Sequence, residues 1–504
     1  KNDSASRAII SSWSKFLLKK MHASIILKVL GTLLMLFSIL ANLMPLLVSI
    51  VYQDGMHTSF LSSTLIIFSI GCIFFLLTRK SKRELGIRDG FLIVTLFWAV
   101  LGIAGCLPFV FSSALDLSIT DAVFESLSGL TTTGATVISG LDSLPKSILF
   151  YRQQLQWLGG MGIIVLAISL LPMLGIGGMQ LYRAESPGPI KDNKLLPRLA
   201  ETAKALWYIY LTLTAVCAVS YWVAGMDIFD AVSHSFATIA IGGFSTYDQS
   251  IGHFENSAIE FVAIIFMFIS GVNFAMHFTA WQNRSVRHYL GDPEFLFYSF
   301  ILLIVSVVTI TVLYFSEIYI GFFEVTIKGL FQVVSFATTT GFTTADFNAW
   351  PLFLPYVLLY AAIIGACAGS TGGGLKVIRV LLMFKLLKKE LLKILHPTAE
   401  IPIKMDSSSI NDDISTTLFN FFIFYILSFI FLSFLLLLTG LDVTTSFSAV
   451  ASCINNLGPA LGSVADNYSG ISIFAKYVLS FAMILGRLEI FTLLIVMTPY
   501  FWKF

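Results

Sequence analysis

Charge is what this chain has least of. Across 504 residues, Asp, Glu, Lys and Arg together make up 12%, against about 25% in soluble globular proteins. So few charges exclude an ordinary water-soluble globule. Neither sign dominates: the formal net charge is +2, so no broad attraction to nucleic acid is indicated. The five cysteines, Cys72, Cys106, Cys217, Cys367 and Cys453, sit in or beside apolar runs with no CxxC pair. They read as small buried hydrophobes, not as metal or redox chemistry. His234, His253 and His277 lack ligand spacing and read as polar contacts. No paired carboxylates, His cluster or Ser–His pair falls at membrane depth, which argues against an intramembrane enzyme. No nucleotide-binding motif is found.

What is abundant is apolar: 57% of the chain is hydrophobic, with 46 Phe. A bilayer core takes about 20 apolar residues per helix. Ten runs qualify, near 24–51, 59–78, 91–113, 149–173, 203–224, 257–281, 295–315, 352–384, 416–439 and 471–501. Threading these spans puts all but five of the 31 Lys and Arg on one side, the exceptions being Lys146, Arg152, Lys328, Lys476 and Arg487. By the positive-inside rule that side is cytoplasmic and holds both termini. The basic run from Lys376 to Lys404, including "KLLKKELLKILHPTAE", and the segment "YRAESPGPIKDN" read as solvated cytoplasmic loops. The opening "KNDSASRAIISSWSKFLLKK" reads as a polar N-terminal extension, with Met21 as the natural start and no signal peptide.

From the third span onward, each outer connection carries a second apolar stretch, too short to span but long enough for a re-entrant helix. Aligned on their glycines they read "DAVFESLSGLTTTG", "DAVSHSFATIAIGG", "KGLFQVVSFATTTG" and "TSFSAVASCINNLG", ending at Gly134, Gly243, Gly341 and Gly458. These glycines lie 109, 98 and 117 residues apart. A repeat of that length is modular. The expected fold is therefore all-α and integral to the membrane: four helix–pore loop–helix repeats around a pseudo-fourfold ion pore, plus two leading transmembrane helices. The boundaries expected are 1–21 (extension), 22–88 (leading spans), 89–182, 183–288, 289–395 and 396–504 (repeats).

Four short helices aimed inward would present the negative ends of their dipoles to a cation. The non-helical segment after each would offer carbonyl oxygens in place of its hydration shell. No Asp or Glu lies in these segments, so a dehydrated monovalent cation is the expected guest. Asp121 and Asp230, at the starts of the first two short helices, read as N-caps, and Asp346 as a residue that draws cations to the mouth.

The eighth span breaks at "IIGACAGSTGGGLK", with five glycines within Gly365–Gly374. Each interior Gly costs a helix about 1 kcal/mol, so the run should unwind into a flexible plug. It is not a phosphate loop, because Gly374 is followed by Leu375 and no strand precedes it. Arg487, inside the last span, is costly unless it is paired or faces water. Glu489, two residues on, points elsewhere on a helix, so the expectation is a pore-facing arginine meeting the glycine loop. Asn273 and His277, at i and i+4 on the sixth span, are expected to line the cavity.

The segments "LTTTGAT", "ATIAIGGFST", "SFATTTGFTTADF" and "NNLGPALG" resemble the four filter segments of one superfamily. It comprises bacterial TrkH and KtrB and the high-affinity potassium transporters of plants and fungi. The stretch "HASIILKVLGTLLMLFSILANLMPLLVSIVY" and the two leading spans resemble the TrkH branch. The resemblance covers about Met21 to Phe504. It implies potassium uptake across a bacterial inner membrane, with potassium as the transported substrate and no cofactor bound by the chain. The ion would be held by backbone carbonyls at Thr132, Thr133 and Gly134; Ile241, Gly242 and Gly243; Thr339, Thr340 and Gly341; and Asn456, Leu457 and Gly458. In this superfamily glycine at the first-repeat position goes with potassium selectivity and serine with sodium permeation; here it is Gly134. The fourth segment departs most, which leaves relaxed selectivity open. The resemblance also implies a gate of Gly369, Ser370, Thr371, Gly372, Gly373, Gly374 and Arg487. It implies a homodimer and a cytosolic nucleotide-binding regulator of the TrkA type. Passive conduction and proton- or sodium-coupled symport remain alternatives, though uncharged filters and repeats of one orientation speak against coupled transport.

Overall fold

The computed structural model describes residues 23–81, 86–173, 199–351, 353–398, 402, 404–405, 408–409 and 412–503. The segment "YRAESPGPIKDN" and the first twenty residues lie outside them. Among the described residues the regular structure is helical, apart from a small hairpin pairing Lys404–Met405 with Ser408–Ser409.

Among the described residues, six helices are long and apolar enough to cross a membrane unbroken, including Ala23–Tyr52, His57–Thr78 and Pro293–Phe315. Their surfaces are inverted relative to a soluble protein. Only 22% of the most apolar window of His57–Thr78 is buried, and Leu77 is 79% exposed. Such helices need hydrocarbon as solvent. The first two spans form a close hairpin in which Gly31 and Gly71 each face the other's carbonyl, the small-residue crossing favoured between membrane helices. The turn between them is fastened by Asp54, which accepts from Ser49 Oγ at 2.6 Å, Ser147 N at 2.9 Å and Met56 N at 3.2 Å.

The ten-span threading needs amending at two spans, the sixth and the last. Helix Lys146–Met173 occupies the fourth position. The sixth span is two helices, Ser257–Ser270 and Phe274–Gln282, bent by 90°. The last is also two, Ile473–Arg487 and Phe491–Met497, bent by 116°. The eighth breaks as expected, into Phe353–Ile364 and Val377–Leu395. The second of these takes in "KLLKKELLKIL", so that stretch is a helix and not a loop. Lys376 and Arg379 are buried, not solvated.

Between the spans lie four short helices, Ile119–Leu130, Ile228–Ala240, Phe322–Ala337 and Val443–Ile454. Asp121 and Asp230 are not the N-caps. Ser118 and Asp227 are, each accepting from the backbone N–H three residues on. The displaced carboxylates are used elsewhere: Asp121 accepts from Lys476 Nζ at 2.6 Å, and Asp230 from Thr246 Oγ1 at 2.7 Å and Tyr247 OH at 2.9 Å.

Candidate ion-conducting site

All four short helices end alike. The residue two before each aligned glycine is left-handed: Thr132 at φ 58°, Ile241 at 55°, Thr339 at 65° and Asn456 at 54°. The glycines follow at 81°, 79°, 83° and 96°. Thr133, Gly242, Thr340 and Leu457 each donate their N–H to the carbonyl five residues back, and their predecessors donate to the carbonyl three back. This is the Schellman pattern, which normally places glycine at the left-handed position. Here three of the four are β-branched, a conformation costing about 1–3 kcal/mol each and persisting only where the surroundings enforce it.

The surroundings are the neighbouring segments. A Cβ placed on Gly134 would come within 3.0 Å of the Gly242 carbonyl oxygen. One on Gly243 would meet Thr340 O, one on Gly341 Leu457 O, and one on Gly458 Thr133 O. Each glycine thus bears on the carbonyl just before the next segment's glycine. The order one–two–three–four–one closes a ring.

The repeated threonines have separate tasks. Thr131 Oγ1 donates to Leu127 O and pairs with Thr133 Oγ1, both at 2.7 Å. Thr338 repeats this with Val334 O and Thr340 Oγ1, again at 2.7 Å. The middle threonine faces elsewhere: Thr132 Oγ1 accepts from Arg487 Nη1 at 3.2 Å, and Thr339 Oγ1 from Gly373 N at 2.7 Å. Not every carbonyl of the segments is free of protein partners. Gly242 O accepts from Gln156 Nε2 at 2.5 Å and Gly458 O from Tyr468 OH at 2.8 Å.

The glycine loop of the eighth span lies against these helix ends. Thr371 Oγ1 donates to Ile239 O at 2.9 Å. Gly372 packs on Thr338 O and Gly373 on Asn455 O. The first segment is reached through Arg487, whose Nη1 donates to Thr132 Oγ1 and, at 3.1 Å, to Thr371 O. Its Nη2 donates to Gly159 O at 2.8 Å, and its guanidinium lies 5.2 Å from the Trp98 ring centre. Glu489 does point away, pairing with Arg379. The loop is folded: Gly365, Gly369 and Gly374 turn left-handed at φ 75°, 74° and 79°. Cys367 N donates to Gly271 O and Phe274 N to Gly369 O, both at 3.0 Å. Ala368 N donates to Glu294 Oε1 at 2.6 Å, and Lys376 Nζ to Gly372 O. Glycine density here encodes specific turns rather than a slack strand.

Asn273 caps the helix beginning at Phe274 and abuts Gly369. His277 contacts Tyr289 OH at 2.8 Å and Ile269 O at 2.9 Å, and lines an aromatic cavity of about 600 Å³ beside Tyr208, Trp281 and Phe295. That cavity includes none of the four glycine segments. His234 makes the polar contacts expected, to Asp230 O and Ser245 Oγ at 2.9 Å.

Four of the five cations that defied the charge asymmetry, Arg487 aside, have partners outside the loop. Arg152 pairs with Glu125 at 2.8 Å, Lys328 with Glu260 at 2.6 Å and Lys476 with Asp121 at 2.6 Å. Lys146 stands over the rings of Tyr52 and Phe229. Sequence reasoning passed over Gln153 and Gln156. Their signal was the run Arg152-Gln153-Gln154-Leu155-Gln156 inside an otherwise apolar span, which polar side chains occupy only with a task.

The TrkH family, described as "Cation transport protein", matches residues 56–502. The chain belongs to the TrkH family. It is 52% identical over 483 residues to the Trk system potassium uptake protein TrkH of Escherichia coli strain K12, covering 96% of this chain and 100% of the relative. It is 39% identical to TrkG of the same strain, over 96% of this chain and 99% of that protein. The crystal structure of the potassium transporter TrkH from Vibrio parahaemolyticus superposes with a TM-score of 0.88 at 49% identity, covering 96% of this chain and 100% of that one. This chain is thus a multi-pass membrane protein of a family named for transport.

Proposed function

We propose that this chain takes up potassium across a bacterial inner membrane through the ring of four glycine segments, with both termini cytoplasmic. The observation that carries the reading is the closed cycle in which each of Gly134, Gly243, Gly341 and Gly458 bears on the next segment's carbonyl. Four equivalent backbone turns, free of acidic side chains and set at the negative ends of four helices, suit a dehydrated monovalent cation. The ion is coordinated by carbonyls drawn from Thr132–Gly134, Ile241–Gly243, Thr339–Gly341 and Asn456–Gly458. The loop Gly369–Gly374 and Arg487 form the closed barrier: the loop blocks the path beneath the ring, and the guanidinium repels cations.

That the relatives are named as proteins of a "Trk system" supports a working unit that includes further components. Such a unit is a homodimer regulated by a cytosolic nucleotide-binding protein of the TrkA type. The deciding experiment is ion flux into proteoliposomes with potassium, rubidium, sodium or lithium, with and without a pH gradient. Potassium and rubidium flux above sodium and lithium, without need of the gradient, is expected. Equal sodium flux overturns the selectivity, and accumulation only under a pH gradient replaces passive conduction with symport.

A further inference from the structure

The four segments are braced in different ways. In the first and third, paired hydroxyls, Thr131 with Thr133 and Thr338 with Thr340, hold the turn. In the fourth, Asn456 Nδ2 donates to Thr133 Oγ1 and Met483 O, both at 3.0 Å. The second has Ala240 and Gly242 where the first and third have threonines, so it carries no hydroxyl brace of its own. A bare Ile-Gly-Gly turn is the softest of the four.

Gln156, fully buried on helix Lys146–Met173, stands in the missing place. A Cβ on Gly242 would collide with Gln156, to which all three nearest atoms belong. Its Nε2 donates to Gly242 O at 2.5 Å, and its Oε1 accepts from Phe244 N at 3.0 Å. The amide cannot be turned round, because the backbone oxygen only accepts and the backbone N–H only donates. Gln153 Nε2 donates to Phe244 O and Arg152 Nη1 to Ser245 O, each at 3.1 Å, extending the clamp along the same strand of backbone.

We propose that Gln156 is a specificity-determining positioning residue: its amide clamps the Gly242 carbonyl in register with Thr133, Thr340 and Leu457, replacing the threonine brace that the second segment lacks. The inference rests on the ring being the selectivity filter. A carbonyl has two lone pairs, so Gly242 O serves Gln156 and an ion together. Released, it would close on smaller ions, and discrimination against sodium would fall.

The test is the potassium-to-sodium flux ratio, with the half-saturating potassium concentration, in proteoliposomes of the full chain. Gln156→Leu and Gln156→Met are expected to lower the ratio about tenfold, the loss of roughly one hydrogen bond, in protein that stays monodisperse. Gly242→Thr alone should abolish flux through the collision. Gly242→Thr combined with Gln156→Gly should restore flux, because only removal of the whole side chain, Cβ included, clears the space that the threonine then fills. An unchanged ratio in both single Gln156 variants overturns the proposal, as does a double variant no better than Gly242→Thr alone. Gly243→Ser separates the two levels. If it lowers the ratio while the Gln156 variants do not, this inference alone fails; if it too changes nothing, the filter reading fails with it.

Discussion

Replacing Arg487 with alanine should raise basal potassium flux about 10- to 100-fold. Hydrogen bonds from the side chain reach the first segment through Thr132 Oγ1, the fourth span through Gly159 O, and the glycine loop through Thr371 O. Contacts that survive when the loop moves do not bias its position; only a difference between states does. Of these three, the bond to Thr371 is the one made to the loop. A hydrogen bond from a charged donor is worth about 1.5–3 kcal/mol, and each 1.4 kcal/mol is tenfold in an equilibrium. Losing it shifts the loop toward its displaced position by one to two decades. On the proposed reading, in which the guanidinium stands in the ion path, removing its charge adds to the effect in the same direction. The assay is rubidium tracer uptake into proteoliposomes without added regulator, comparing wild type, Arg487→Ala and Arg487→Met. Arg487→Met keeps bulk against Trp98 while removing charge and donors. Flux equal to wild type in both variants, with the protein still monodisperse, would refute the argument that this arginine holds the barrier shut.

Gly373→Ala should also raise basal flux, because its Cβ would meet Asn455 O and force the loop off the fourth segment; the same uptake assay reads it. Glu260→Leu should lower stability by about 3 kcal/mol, since it leaves the half-buried Lys328 with Thr344 O but no counter-charge, and adding Lys328→Met should recover most of it in a thermal-shift measurement. Asp54→Asn should lower the melting point at neutral pH. Burial raises the Asp54 pKa, but hydrogen bonds from Ser49, Ser147 and Met56 outweigh it and hold the group below its ordinary 3.8. Its stabilisation is therefore present above that value and lost as pH falls through the lower folded one, so the gap between wild type and variant should close on acidification.

The glycine segments were legible in the sequence because the second left-handed residue of each is a glycine, Gly134, Gly243, Gly341 and Gly458, at a fixed offset from the helix end; the first, β-branched in Thr132, Ile241 and Thr339, gave no such sign because the neighbouring segments enforce it. The glycine loop was legible for the same reason, although its density reads as slackness until its partners are seen. The breaks in the sixth and last spans have non-local causes. Gly271 O is taken by Cys367 of the loop, and Asn273 then starts a new helix. At the last break no glycine or proline intervenes. Glu489 and Ile490 turn left-handed at φ 52° and 63° while Glu489 pairs with Arg379, over a hundred residues earlier. The misassigned N-caps are a milder case: Asp121 and Asp230 were the more obvious acids, but Ser118 and Asp227 stand three residues earlier. Gln156 had a signal in the polar run that starts at Arg152, but its partner had none, because that partner is the backbone of another repeat.

The ring of four segments belongs to one continuous chain, and that changes how substitutions act on it. In a pore built from four identical subunits, any altered letter is written four times, so a small adjustment to one position becomes a large one. Here Gly242 can lack a side chain while Thr133, Thr340 and Leu457 keep theirs. Each quarter can be tuned alone, in single steps of one carbonyl or one hydroxyl. Because each glycine leans on its neighbour's oxygen, such a step still reaches the whole circle, diminished with each contact it crosses. As the proposed filter, the arrangement would offer fine gradations of ion preference that a fourfold-identical pore does not.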